Sequence, residues 1–495
     1  MSAALPDQVD VLIVGAGPTG LLMANLLGVY GVDCLVVERN AGVSTHPKAI
    51  LLDDEGLRAL QAAGLAEEVR GHVIEGYGAR YYDPAGTCFA KVDAPLTEHG
   101  YYRRNSFLQP DLERILLRGL DRFRHSRCAF GAELADFSQT DASVTARTGS
   151  KQINCKYLMG CDGGRSFVRE RLGIKMPGRT DPRDWVVADT LNDPDDDRFS
   201  KFFCDPARPM VSIPAPGGGR RYEFMVMPGE DEAALLSLDA INSVLGRFRR
   251  FKAEDIVRAI VYRFHARIAD HFHSGRVFIA GDAAHLSPPF AGQGMNAGLR
   301  DAFNLAWKVA GVVQGRLNGT LLQTYEQERH GPAAEMIDYA VALGDVVMPR
   351  KFDETTQAQI QDALGLVDGQ VKPKPQAAYG KGFVAKSEAP GQTLVGRPCP
   401  QPSLGMSGNA PVRLDDILGA GFAWLKIGVG TDVHESVARA FGAKQVGLSA
   451  EQVNGTELSV YLGSTLLIRP DRFVGAEYRG GPTDHLSGQL QKFLA

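Results

Sequence analysis

Apolar side chains fill residues 9–14, broken only by Asp10, and stop at Gly15, the pattern of a strand buried on both faces. A turn follows, and apolar positions then return at helical spacing over residues 19–30 (Leu22, Leu26, Leu27, Tyr30) until Gly31 supplies a stop signal. Residues 32–37, apolar but for Asp33, read as a second strand, so a strand, a helix and a strand are expected in succession. Between residues 77 and 102 the pattern shortens and alternates around turn signals such as DPAG, which predicts antiparallel strands. After Pro110, the spacing of Leu112, Ile115, Leu116, Leu120 and Phe123 predicts a helix over 111–123.

Further along, INCKYLMG reads as a strand ending at CDGG ahead of a short helix, residues 185–265 are strand-rich, and RVFIAGDAAH is another buried strand. The chain is expected to weave between an α/β unit (1–76, 103–180 and 266–350) and a β-rich unit (77–102 and 181–265). Residues 351–390, irregular and rich in Pro, Gly and Lys, read as a linker. The apolar runs in GFAWLKIG and TLLIRPDRFVGAEYRG predict strands of a third unit over 391–495.

Two stretches are conspicuously short of side chains. The first, GAGPTG, places Gly15, Gly17 and Gly20 in the turn between the first strand and helix, and Glu38 closes the second strand 18 residues after Gly20. That is the dinucleotide-binding fingerprint in its structural setting. Bare main chain lets a pyrophosphate approach a helix N-terminus, where exposed N–H groups present about half a positive charge, and the acid accepts from ribose hydroxyls. A GxGxxG alone is also an ordinary tight turn; strand, helix and acid in register favour the phosphate site. The second stretch, GDAAHLSPPFAGQGMNAG, spans residues 281–298 ahead of a predicted helix. No second strand–GxGxxG–helix unit is legible, because PGGGRR lies between strands and LGAGFAWLKIG runs into one.

Composition narrows the class. The 495 residues are 44% hydrophobic, enough for two or three cored domains, and the net charge of −4 is spread without a basic patch, which argues against nucleic acid. A small or apolar partner fits better. MSAALPDQVD lacks a signal-like core and no apolar stretch is long enough to span a bilayer, so a cytoplasmic protein without membrane contact is expected. Seven cysteines (34, 88, 128, 155, 161, 204 and 399) never fall as CxxC, which predicts reduced thiols with no disulfide framework and no metal site.

The motifs GAGPTG, HPKAILLDDEGLRALQAAGL, RRNSFLQPDLE, CDGGRSFVR, EFMVMPGE, GDAAH, GQGMNAGLRDAFNLAWK and RPDRFVGA together resemble the group A flavoprotein aromatic hydroxylases. Within that family the similarity is greatest to the 3-(3-hydroxyphenyl)propionate hydroxylases, and it covers nearly the whole chain. It implies an α/β fold in which a Rossmann-like FAD-binding domain is interleaved with a β-rich substrate domain, followed by a thioredoxin-like C-terminal domain without CxxC. It also implies FAD, NADH or NADPH as transient co-substrate, O2 and a small phenolic substrate, on a monomer or homodimer. Gly15, Gly17, Gly20, Glu38 and Arg39 would hold the ADP half, with Lys48 where relatives carry arginine, a cation without the bidentate fork. Gln109 would contact the cofactor, Asp162 would couple flavin and nicotinamide binding, and Asp282 would bind the ribityl chain. Pro289, Gly292, Gly294, Met295 and Asn296 would surround the ring system, with the positive end of the following helix near its pyrimidine edge.

In that chemistry a flavin C4a-hydroperoxide delivers electrophilic oxygen, so a closed apolar pocket and a deprotonated phenol both help. Tyr222 and His265 are the candidate bases on the substrate sheet, ahead of His271 and His273, although each residue type is commonly structural. Arg220 and Arg221 read either as a substrate-carboxylate site or as a solvated hairpin pair. His285 reads as a packed or capping histidine as readily as a flavin neighbour. The alternatives are a bicyclic phenol, such as a hydroxyquinoline or polyketide, and an FAD oxidoreductase that does not hydroxylate.

Overall fold

The computed structural model describes residues 5–366, 374–385, 393–405, 410–429, 435–479 and 484–495. The apolar runs at 9–14 and 32–37 become the central strands Gln8–Val14 and Cys34–Glu38, joined by the helix Pro18–Val29. They pair in parallel with each other, with Lys151–Gly160 and with Ser126–Phe130, and Val277–Ile279 continues the parallel order. Both faces of the central parallel strands of this eight-stranded sheet are covered, which is why these carry near-continuous rather than alternating apolar residues, whereas the antiparallel strand Val144–Thr148 alternates.

The second sheet also has eight strands, in the order His285–Leu286, Ile256–Ile268, Gly178–Thr190, Gly219–Met225, Met210–Ala215, Phe199–Phe203, Gly78–Tyr82 and Cys88–Val92. Its pairings are antiparallel except that of Phe199–Phe203 with Gly78–Tyr82. One face carries Trp185, Phe202, Ile213 and Phe264 towards the rest of the chain, whereas the other packs Val186, Tyr222 and Phe224 beneath the helix Leu238–Leu245. The edge strand His285–Leu286 lies three residues after Asp282, so the second glycine-rich stretch passes directly from one sheet to the other.

Helix limits differ from expectation by a residue or two. The helix expected over 111–123 runs Gln109–Gly119 and tightens into a 3-10 turn, with Pro110 in the first turn, where its missing N–H costs nothing. The linker expectation for 351–390 needs correction. Residues 367–373 and 386–390 lie outside the described residues, but Glu354–Ala363 is a helix whose Asp353 caps the Thr356 N–H at 2.8 Å. Its Ile360, with Leu364 one turn on, is buried under the second sheet.

The C-terminal strands Lys444–Leu448, Ala423–Ile427, Thr465–Ile468 and Val474–Tyr478 form a mixed four-stranded sheet. RPDRFVGA fastens it to the body: Arg469 pairs with Glu328 of the helix Thr324–Val347 at 2.7 Å and with its own Asp471 at 2.5 Å. Lys308 meets the same Glu328 at 2.7 Å, and Lys308, Glu328 and Arg469 are fully buried. Among the described residues no helix is long and apolar enough to cross a membrane.

Candidate functional site

The two glycine-rich stretches meet on one helix. A Cβ at Gly281 would lie 2.7 Å from the Thr19 hydroxyl, one at Gly298 would collide with the same hydroxyl, and the helices Pro18–Val29 and Gly294–Val313 pack against each other. Gly20 belongs to this packing, since a side chain there would strike the Gly15 carbonyl. Gly17 does not: its backbone is extended and a Cβ would meet nothing within 4 Å.

Gly17 instead faces a cavity of about 500 Å³. Gly15, Glu38, Arg39, Lys48 and Asp162 line it too, so six of the expected cofactor residues share one wall. Glu38 is held in place by the Ala16 N–H at 2.9 Å and the Asn40 N–H at 2.9 Å. Asp162 accepts from the Ser166 hydroxyl at 2.5 Å and the Val168 N–H at 3.1 Å, while burial pushes its carboxyl above the usual range.

Gln109 is one layer back. It accepts from the Ala49 N–H at 2.8 Å and donates to Glu113 at 2.7 Å, and Glu113 in turn accepts from the Ser44 N–H at the cavity wall. Asp282 accepts no hydrogen bond among the described residues. It is open to solvent yet ringed by protein; desolvation pushes its carboxyl up, with the charges of His285 and Lys48 drawing it back.

Beyond Asp282 the chain makes a 3-10 turn at Pro289–Ala291, passes through Gly292 at φ +63°, and enters the helix Gly294–Val313. Gly292 is needed there twice over, for its left-handed backbone and because a Cβ would press within 2.8 Å of Leu51. Asn296 is buried and donates to the carbonyls of Leu51 at 3.0 Å and Gly292 at 2.9 Å, so it shapes the turn; Met295 packs against the first core. His285 pairs with Asp301 at 2.7 Å, and Asp301 also holds Arg329 at 2.9 Å. Burial would raise the Asp301 carboxyl, but His285 and Arg329 outweigh it and keep it below its ordinary value. His285 is thus a packed, paired residue.

Neither candidate base reaches this region. Tyr222 is buried on the far face of the second sheet, where its ring packs on Phe248 and Phe251 and its hydroxyl donates to Asp193 at 3.1 Å. His265 follows Phe264, so strand alternation turns it to that same far face, and its Nδ1 lies 3.0 Å from the Thr180 hydroxyl. Burial, followed by Arg267 and Arg263, lowers its pKa. Arg220 and Arg221 are not a solvated pair but are buried: Arg220 binds the carbonyls of Asp195, Asp197 and Phe199, and Arg221 clamps those of Pro47 and Lys48.

The near face of the second sheet holds what the sequence did not single out. A cavity of about 80 Å³ opens between it and the turn at Pro289–Ala291, walled by Tyr81, Phe202, Phe290, Leu343 and Leu364 and carrying Arg103, Arg104 and Tyr339. Asp53, Asp54 and Glu55 converge nearby and are filled by Lys374, at 2.6, 2.8 and 2.9 Å, with Arg300 at 2.8 Å from Glu55. Only the alternation of GARYY hinted at this wall.

The FAD binding domain family matches residues 8–340. A 3-(3-hydroxy-phenyl)propionate/3-hydroxycinnamic acid hydroxylase of Klebsiella pneumoniae subsp. pneumoniae is 38% identical, with 96% of this chain and 92% of that protein aligned. The chain belongs to the FAD-dependent aromatic hydroxylases. A second relative in this family, from Burkholderia vietnamiensis and of the same description, is 37% identical over 96% of this chain and 95% of its own. Aklavinone-11 hydroxylase, solved with FAD and aklavinone, superposes at a TM-score of 0.81 with 25% identity over 99% of both chains. The flavin-dependent monooxygenase PieE shares the fold at the same TM-score with 22% identity and equal coverage.

The residues fit the family's cofactor. Open space before Gly17, an anchored acid at Glu38 and an unpartnered carboxylate at Asp282 are what a pyrophosphate, a ribose and a polyol require.

Proposed function

We propose that this chain hydroxylates a single-ring phenolic acid, of the 3-hydroxyphenylpropionate kind, at the expense of NADH or NADPH and O2. The alignment with hydroxyphenylpropionate hydroxylases over 96% of the chain carries the reading. When bound, FAD supplies the two-electron exchange with nicotinamide and the activation of oxygen, by the course that the resemblance implies. Gly15, Gly17, Glu38 and Asp282 bind its nucleotide and polyol ends, and Lys48 adds positive charge at the phosphates. Arg221 holds the Pro47–Lys48 main chain in place for this.

Tyr81, Phe202, Phe290, Leu343 and Leu364 give the second cavity an apolar wall for a ring, and Arg103 and Arg104 give it a cationic side. Burial holds the phenols of Tyr81 and Tyr339 above their usual range. Both therefore act as neutral groups that orient a substrate hydroxyl, and deprotonation of the substrate falls to water. A polycyclic phenol is the second reading, favoured by the likeness to aklavinone-11 hydroxylase.

The test measures NADH and NADPH oxidation across a panel of phenolic acids and bicyclic phenols, with hydrogen peroxide and 18O-labelled product quantified together. Coupled 18O incorporation with a phenolic acid supports the proposal. Stimulated oxidation that yields peroxide alone with every compound rejects it.

A further inference from the structure

Arg104 leaves the strand Arg104–Ser106 and lies with its guanidinium 4.7 Å from the ring centre of Tyr77. The ring covers one face of the cation and offers it no carboxylate. Among the described residues its one polar contact is weak: Nη2 reaches the Tyr77 hydroxyl at 3.5 Å, while Nε is buried without a partner. No described carboxylate forms an ion pair with it, and the groups whose charge it feels are the phenols of Tyr77, Tyr81 and Tyr339.

Several other buried arginines meet a carboxylate. Arg58 has Asp415, Arg221 has Asp189, Arg329 has Asp301 and Arg469 has Glu328. Leaving a charge uncompensated in a largely desolvated place costs several kcal/mol by order of magnitude, and folded chains tolerate it where a ligand completes the pair. Arg104 lines the 80 Å³ cavity beside the aromatic wall, and Arg103 and Lys374 add positive potential from two other segments. Lys374 is already consumed by three carboxylates and Asp93 by Arg80, so Arg103 and Arg104 are the fork-shaped donors left over, and of the two Arg104 is the one seated over a ring of the cavity region.

We propose that Arg104 is the anchor for the substrate's carboxylate, binding it through the two terminal N–H groups of its guanidinium so that the aromatic ring is held against Tyr81, Phe202 and Phe290 beside the turn at Pro289–Ala291. The inference rests on the phenolic-acid reading above and sharpens it: the preferred substrate is an anion whose carboxylate sits a short chain away from the ring. Arg104 is on this account a specificity residue, touching the substrate's carboxylate rather than its ring.

The test compares 3-(3-hydroxyphenyl)propionate with its methyl ester in wild-type holoenzyme, Arg104→Gln and Arg104→Lys, reading kcat/KM for coupled hydroxylation and flavin content per chain. Wild type should prefer the acid, and Arg104→Gln should reduce the acid-to-ester ratio at least about thirtyfold, as expected when one partner of a desolvated ion pair is removed. Arg104→Lys should restore part of the ratio, since it keeps the charge but not the fork. Equal use of acid and ester by the wild type overturns the anchor while leaving the hydroxylase reading intact, and so does an unchanged ratio in flavin-replete Arg104→Gln. If wild type hydroxylates neither compound nor any other phenol, the hydroxylase reading falls and takes the anchor with it.

Discussion

Polar groups without partners proved more informative, residue by residue, than polar groups as such. Among the described residues Asp282 accepts no hydrogen bond, and desolvation pushes it towards its neutral form, which makes it costly until hydroxyl donors arrive. Asp282→Ala should therefore weaken FAD binding by roughly 10- to 100-fold, the worth of hydrogen bonds to a charged group. Titration of the deflavinated variant with FAD checks this, and a protein that purifies as yellow as wild type would reject the assignment. Tyr222 is the opposite case, fully used on the far side of its sheet. Tyr222→Phe should cost about 1 kcal/mol of stability, one buried hydrogen bond, and leave kcat within about twofold. A large loss of turnover at unchanged flavin content would return the tyrosine to the chemistry.

The same contrast explains what could be read in advance. Glu38 was legible because a fingerprint specifies its distance from three glycines. Arg104 and Arg221 were not, because their meaning lies in which partners are absent or present across more than a hundred residues of chain.

Elements built from continuous apolar runs and glycine punctuation were legible to within a residue or two, as in Gln8–Val14 and Pro18–Val29. The helix Glu354–Ala363 was hidden because its buried face shows only when Ile360 and Leu364 find the second sheet. Facing direction in that sheet was hidden likewise, since alternation sorts Phe264 from His265 without saying which side meets the cofactor.

The first strand–helix turn offers a test that separates its two kinds of glycine. Gly17 has extended backbone and open space ahead of its missing side chain, so Gly17→Val should preserve the melting temperature of the apoprotein yet abolish flavin retention. Gly20→Ala should lower both, because its methyl must push the helix away from the Gly15 carbonyl. Overpacking of this kind costs about 1–3 kcal/mol. Thermal melts with and without excess FAD distinguish them, and parallel behaviour of the two variants would contradict the division.

For the whole molecule, the third unit is held by charges rather than by apolar surface alone. Glu328 is shared by Lys308, Arg469 and the main chain of Phe383 in a place closed to solvent. Burial acts to raise its pKa, but Arg469 and Lys308 prevail and hold it at about 2. Burial lowers Lys308 to about 8 in spite of Glu328.

A carboxyl depressed in the folded state contributes stability above its unfolded value and loses it as pH falls through the folded one. Glu328 should therefore contribute at neutral pH and give up about 3 kcal/mol between roughly pH 4.5 and pH 2. Lys308 runs the other way: its ammonium is disfavoured by folding, so stability should rise between about pH 8 and its unfolded value near 10.5. Trp307 lies at the junction and Trp424 in the third unit, so their emission reports release of that unit. Urea midpoints followed this way should fall steeply below pH 4.5 in the wild type. Glu328→Gln, which strips buried Lys308 of its carboxylate and leaves Arg469 with Asp471 alone, should cost about 3–5 kcal/mol at pH 7 and flatten that acid limb. An acid limb equally steep in the variant would show that other carboxylates, and not this shared one, hold the third unit to the body.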